Sequence, residues 1–145
     1  MLRAYQFKLK CMAIKYHPEP GTIVICDFKD FKAPEMTKKR PAIVVSPRFR
    51  DRPGLCTVVP CSTTQPTSIQ PYHYELVLFP SLPAPYYTSR CWVKCDMLYA
   101  VSFSRLSMPS FGRDSQNSRM YDVRVVSQGE FRDIRKCVIE GIANM

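Results

Sequence analysis

Three short runs in this chain bring together the side chains that phosphate-ester chemistry needs. The first is Lys39-Arg40-Pro41-Ala42-Ile43-Val44-Val45-Ser46-Pro47. Ala42 to Val45 is an unbroken apolar stretch, as in a buried strand. Pro41 has no amide hydrogen to give to a ladder, so it is placed at the first residue of that strand. Arg40 then stands fixed at the strand mouth, with Glu35 before it in a polar loop. A guanidinium held this way suits a phosphate, because its planar fork matches two anionic oxygens. The plain alternative is that Lys38, Lys39 and Arg40 are a solvated cationic run. The second run is Cys91-Trp92-Val93-Lys94-Cys95-Asp96. Read as a strand, its alternation sends Cys91, Val93 and Cys95 to the core. Trp92, Lys94 and Asp96 then share the other face: a stacking surface, a phosphate partner and a base. The third run is Pro60-Cys61-Ser62-Thr63-Thr64-Gln65, whose hydroxyls can donate to a phosphate or a base edge, or cap their own backbone.

The elements that would position these groups are mostly strands. Thirteen prolines and five glycines cut the chain into short β-like runs. They are expected over Gly21–Phe28, Ala42–Ser46, Leu55–Cys61, Tyr72–Phe79, Cys91–Leu98 and Tyr99–Leu106. Pro80–Ser89 and Met108–Arg119 read as loops. One helix closes the chain. Ser127 and Glu130 have capping-box spacing, and Phe131, Ile134, Val138 and Ile142 form one apolar stripe for the core. Many strands and then one helix predict a mainly β protein: a small antiparallel barrel-like sheet with a C-terminal helix.

Composition narrows the partners. With 145 residues, one domain spanning 1–145 is the simplest organisation, with 1–15 read as a disordered extension. Twenty-one Lys and Arg against twelve Asp and Glu give a net charge of +9, which favours a polyanion. Residues 29–52 concentrate it: Lys29, Lys32, Lys38, Lys39, Arg40, Arg48, Arg50 and Arg52 against Asp30, Glu35 and Asp51. No apolar run approaches the roughly 20 residues of a membrane span. Seven cysteines without a C-x2-C pair, lying in apolar runs, suit a reducing cytoplasm with no disulfide framework, metal or other cofactor. His17 and His73 read as surface residues.

The motifs and their order resemble the MazF/PemK (Kid) family of type II toxin–antitoxin ribonucleases. The resemblance rests on a Gly-x-Ile-Val strand ending in Asp27-Phe28 and on Glu35-x4-Arg40-Pro41-Ala-Ile-Val-Val-Ser-Pro. It rests further on Val58-Val59-Pro60-Cys61-Ser62-Thr63-Thr64-Gln65 and Lys94-x-Asp96. It covers Gly21 to about Leu106 well and the final helix more loosely. It implies an SH3-like β-barrel (MazF/PemK/CcdB-like) working as a cytoplasmic homodimer. It also implies metal-free cleavage of single-stranded RNA at short sequences, leaving 2′,3′-cyclic phosphate and 5′-hydroxyl ends. The partners it implies are RNA and a cognate acidic antitoxin, whose complex with the toxin binds DNA.

By position, the resemblance makes Arg40 the phosphate arginine, Ser62 or Thr63 the site hydroxyl, and Asp96 the base. Lys94 stands where Kid-like members have an arginine acting as acid, and Pro34 where they have a histidine, so Glu35 is a second proton-transfer candidate. Lys38, Lys39, Arg48, Arg50, Thr64, Gln65 and Trp92 are the expected RNA contacts. Two other functions fit such a chain: a weak or inactive RNA-binding barrel, and a CcdB-like inhibitor of a protein target such as DNA gyrase. The phosphate-site residues argue against the latter.

Overall fold

The computed structural model describes residues 13–143, in which the apolar runs form one antiparallel sheet. Its strands are β1 (Ile23–Cys26), β2 (Arg40–Val44), β3 (Leu55–Ser62), β4 (His73–Val77), β5 (Arg90–Lys94), β6 (Tyr99–Ser102) and β7 (Leu106–Ser107). They run in the order β4-β5-β3-β2-β1-β7, with β6 paired to β3 off this path. Alternation sorts their side chains onto two faces. Ile23, Ile43, Val59, Leu76 and Val93 pack with Ile134 of the C-terminal helix α1 (Gln128–Ala143). Val24, Ala42, Val44 and Val58 pack with Phe28 and Leu106 on the other side. β1 and residues 41–44 of β2 are apolar throughout because both faces are covered there.

Proline in a central strand is unusual, and Pro60 shows how this sheet tolerates it. β3 pairs with β6 as far as Val58, opposite Tyr99, and with β5 from Cys61, opposite Val93. Pro60 falls between the two partners, so its missing amide hydrogen coincides with a change of neighbour. The exchange lets one long strand serve two directions and bends the sheet into its barrel-like form.

The capping box is present in both directions: Glu130 N–H donates to Ser127 Oγ at 3.1 Å, and Ser127 N–H to Glu130 Oε1 at 2.9 Å. Ile134 is fully buried and Phe131 and Val138 partly so, but Ile142 is exposed. The apolar stripe leaves the core at that position. Gly141 lies against the backbone of Asp96, two residues beyond β5, where an added Cβ would come within 3.0 Å of the Asp96 Cα.

Other boundaries differ from the sequence reading. β2 begins at Arg40, with Pro41 as its second residue opposite Ile25. β5 stops at Lys94, where the Met97 N–H turns back to the Lys94 carbonyl, so Asp96 lies in a turn beyond the strand. The run Tyr99–Leu106 breaks after Ser102, whose side chain caps a short 3-10 turn (Phe103–Arg105), and Leu106 then pairs with β1.

The expected loop over 108–119 contains β8 (Ser110–Arg113), paired with β9 (Arg119–Tyr121). Asp114 closes this hairpin by accepting the Gln116 and Ser118 amides, both at 2.9 Å. Its residues are mostly polar, and Phe111, Met120 and Tyr121 are exposed, so no apolar period betrayed it. Of the expected N-terminal extension, 1–12 lie outside the described residues. Ile14 is buried, and its N–H donates to the Leu106 carbonyl at 3.0 Å. Among the described residues no helix is long and apolar enough to cross a membrane.

Candidate active site

Strand register assembles the site. Ala42 faces Pro60, so two residues further on Arg40 and Ser62 stand at the same end of β2 and β3. Ser62 pairs with Trp92, Trp92 with Glu75, and Lys94 with His73. Alternation puts Arg40, Ser62, Trp92, Lys94 and His73 on one face, while Cys61, Val93 and Leu76 point into the core behind it.

Arg40 is half-buried, and its Nε is buried with no hydrogen-bond partner among the described residues. Most buried polar atoms in proteins are paired, so this one marks an incomplete environment. A guanidinium already stripped of part of its water interacts more strongly with an anion than one in bulk solvent. Beside it, Ser62 Oγ accepts the Thr64 N–H at 3.2 Å, while Thr63, Thr64 and Gln65 are exposed.

Lys94 is half-buried and Asp96 exposed. The sequence reading set His73 aside, yet it belongs with them. Its Nδ1 accepts the Gln70 N–H at 3.0 Å, which fixes the ring. Burial and the Lys94 charge lower its pKa from 6.5, and the Asp96 charge pulls it back up. The signal that could have found it is the cross-strand pairing of β4 with β5, which carries a proton-transfer group to Lys94.

Several expected residues are placed elsewhere. Trp92 is 7% exposed, which leaves little ring face for a base, so the expected stacking surface is not presented. Glu35 is exposed in the β1–β2 loop, its Oε1 accepting the Lys32 N–H at 3.2 Å. Lys38 and Lys39 end that loop, next to Arg40. Arg48 and Arg50 lie in the β2–β3 loop, at the opposite end of the strands from Arg40. With Lys15 and Arg52 they line a separate cavity of about 390 Å³.

The loop that carries Glu35 is held by residues far away in sequence. Arg105 donates to the carbonyls of Asp27 and Lys29 at 3.0 and 2.8 Å, and its guanidinium sits 4.7 Å from the Phe31 ring centre. Phe31 stacks on Tyr99, and the Tyr99 hydroxyl accepts the Met36 N–H at 3.0 Å. Neither Arg105 nor Tyr99 was legible as a positioning residue, because their partners are 63 to 78 residues distant.

The thiols are ill-suited to nucleophilic work. Burial pushes Cys26 up to about 12 and Cys56 up to about 11. Cys61 is also raised, by the Cys91 thiol and by burial, with Arg40 pulling the other way.

The model of the PemK-like, MazF-like toxin of type II toxin–antitoxin systems matches residues 19–139. The chain belongs to that family. The endoribonuclease toxin MazF of Escherichia coli K12 is 35% identical over 68 residues, which are 46% of this chain and 58% of that protein. A mycobacterial endoribonuclease in complex with its cognate antitoxin superposes with a TM-score of 0.56 at 17% identity. That likeness covers 88% of this chain and 97% of the other. MazF from Deinococcus radiodurans gives 0.55 at 18% identity, over 86% and 96% of the two chains. These structures share the fold. The MazF-like family assignment thus agrees with the motif order, and the antiparallel sheet with its C-terminal helix is the family's fold.

Proposed function

We propose that this protein is an endoribonuclease toxin that cuts single-stranded RNA by attack of a ribose 2′-hydroxyl on the adjacent phosphorus. The observation that carries this is the partly desolvated Arg40, with its unpartnered Nε, beside the hydroxyls that follow β3. In the step, the 2′-oxygen–phosphorus bond forms and the phosphorus–5′-oxygen bond breaks. Arg40 stabilises the charge that builds on the phosphoryl oxygens, helped by a hydroxyl of Ser62 or Thr63. Asp96, or Glu35 from the β1–β2 loop, takes the 2′ proton. Lys94 supplies positive charge and is one candidate to protonate the leaving 5′-oxygen. His73, paired across the strands with Lys94, is the other. The products are a 2′,3′-cyclic phosphate and a 5′-hydroxyl, with side chains supplying all the proton transfers and no metal required.

Family membership and the +9 charge also support a homodimer whose activity is silenced by an acidic antitoxin. The deciding experiment incubates the purified protein with mixed-sequence RNA in EDTA and maps the ends. Cyclic-phosphate ends are expected. RNA bound but left intact would reduce the protein to an RNA-binding barrel, and cleavage only on adding a divalent ion would overturn the metal-free step.

A further inference from the structure

The cavity at the far end of β2 from Arg40 has no part in the cleavage step. Its volume of about 390 Å³ lies at the lower end of the range for small-molecule sites. Four cations line it: Lys15, and Arg48, Arg50 and Arg52 of the β2–β3 loop. No Asp or Glu among the described residues lines it, and none of the four cations has an ion-pair partner there. Asp51, in the same loop, is exposed and is not on the cavity wall. Two open rings, Tyr16 at 59% exposure and Phe49 at 53%, also stand on the walls.

The rest of the lining is held in place. The Thr57 N–H donates to Ser46 Oγ at 3.0 Å, and the Ser46 hydroxyl donates to His17 Nε2 at 3.4 Å. His17 Nδ1 donates to the Pro18 carbonyl at 2.7 Å, so both ring nitrogens are engaged. The imidazole meets Phe103 edge-on at 6.0 Å, and the Phe103 N–H donates to the Gly54 carbonyl at 2.9 Å. The Arg52 N–H donates to the Phe49 carbonyl at 3.2 Å, which keeps Arg50 and Arg52 on one tight turn.

Four like charges gathered around one cavity repel each other, and an anion between them relieves that repulsion. Inorganic phosphate would engage the cations and leave both rings unused. An extended acidic peptide would do the same. A nucleotide uses both features: a ring stacks on the base while guanidinium forks grip the phosphate oxygens. We propose that this cavity binds a free nucleoside di- or triphosphate. The site shares no residue with the cleavage step, so the inference stands or falls apart from the ribonuclease reading.

The test is isothermal titration calorimetry on the full chain in EDTA, with ATP, GTP, adenosine and inorganic tripolyphosphate as probes. ATP or GTP should bind once per chain. Adenosine should bind about tenfold more weakly or worse, because it lacks the charged groups. Tripolyphosphate should bind about fivefold more weakly or worse, because it lacks a base to stack. Phe49→Ala should lose about fivefold or more in nucleotide affinity and keep its affinity for tripolyphosphate. Arg50→Gln/Arg52→Gln should lose about tenfold or more for both. These side chains are exposed, so folding should survive, with circular dichroism as the check. Should the arginine variant misfold, Phe49→Ala and the probe series on wild type still decide. An RNA of about five nucleotides, methylated at every 2′-oxygen and ending in a 5′-hydroxyl, should leave ATP bound. No binding of either nucleotide at about 1 mM would overturn the proposal. Nucleotide affinity unchanged in Phe49→Ala would also overturn it, as would tripolyphosphate binding as tightly as ATP, which would reduce the cavity to a plain anion site. Displacement of ATP by the RNA would overturn it too, making the cavity part of a path for a nucleic acid strand.

Discussion

At the scale of single residues, the weight falls on Arg40, Asp96 and His73. Arg40→Ala should lower RNA cleavage about a hundredfold or more, since it removes a preorganised charge from the phosphate site. It should not unfold the protein, because the residue begins β2 ahead of the apolar run. Wild-type rates in the variant would place phosphate binding elsewhere. Asp96→Asn keeps size and polarity but cannot take a proton. Its rate should fall much more than its RNA affinity; equal losses in both would make Asp96 a binding residue and Glu35 the base.

His73 yields a pH prediction. Its folded pKa is below 6.5, by burial and then by Lys94. As pH falls through about 6.5 the unfolded chain takes up the proton first. Stability is therefore full above that pH and declines below it, until the folded protein also protonates. His73→Gln should flatten this decline, read as urea midpoints at pH 7.5 and pH 5. An unchanged slope would assign the decline to other groups.

At the scale of elements, α1 reaches the site through Gly141. Gly141→Ala gains roughly 1 kcal/mol in helix propensity but sets a Cβ 3.0 Å from the Asp96 Cα. Backbone cannot rotate aside as a side chain can, and overpacking costs about 1–3 kcal/mol. The two effects nearly offset in stability, whereas the displacement of Asp96 does not cancel. The variant should melt within a few degrees of wild type and cleave RNA at least tenfold more slowly. Full activity would show that Asp96 tolerates movement or does no chemistry. The helix itself was readable from Ser127, Glu130 and its apolar spacing. Its contact with Asp96 was not, because Gly141 shows nothing in sequence to mark what it packs against.

At the scale of the whole molecule, the cations divide between the two ends of β2. Lys38, Lys39 and Arg40 stand at one end, and Arg48, Arg50 and Arg52 at the other. An acidic antitoxin segment that meets both groups must span at least the length of β2, about 16 Å at 3.3 Å per residue. Extended peptides shorter than about five residues should therefore reach only one group and bind far more weakly than longer ones. RNA and the long peptide should exclude each other in anisotropy competition, and association should slow with added salt. Simultaneous binding of RNA and peptide would show that inhibition acts from a remote surface.

The sequence by itself determined the strands with unbroken apolar runs, the capped final helix, the cationic excess and the family. Each is written in local spacing or in motif order, and local physics reads it directly. Only the tertiary structure decided which groups meet. Pairing of β4 with β5 brought His73 to Lys94, and the bend of β3 at Pro60 made room for two neighbours. The β2–β3 loop carried Arg48 and Arg50 away from Arg40, although fewer than a dozen residues separate them. Arg105 and Tyr99 reached back across the fold to hold the β1–β2 loop. The Trp92 alternation was right about its face and wrong about its exposure, because period two reports direction while burial depends on what other elements place there. Long-range register and coverage are set by the closing of the sheet, and no local pattern in the chain encodes them.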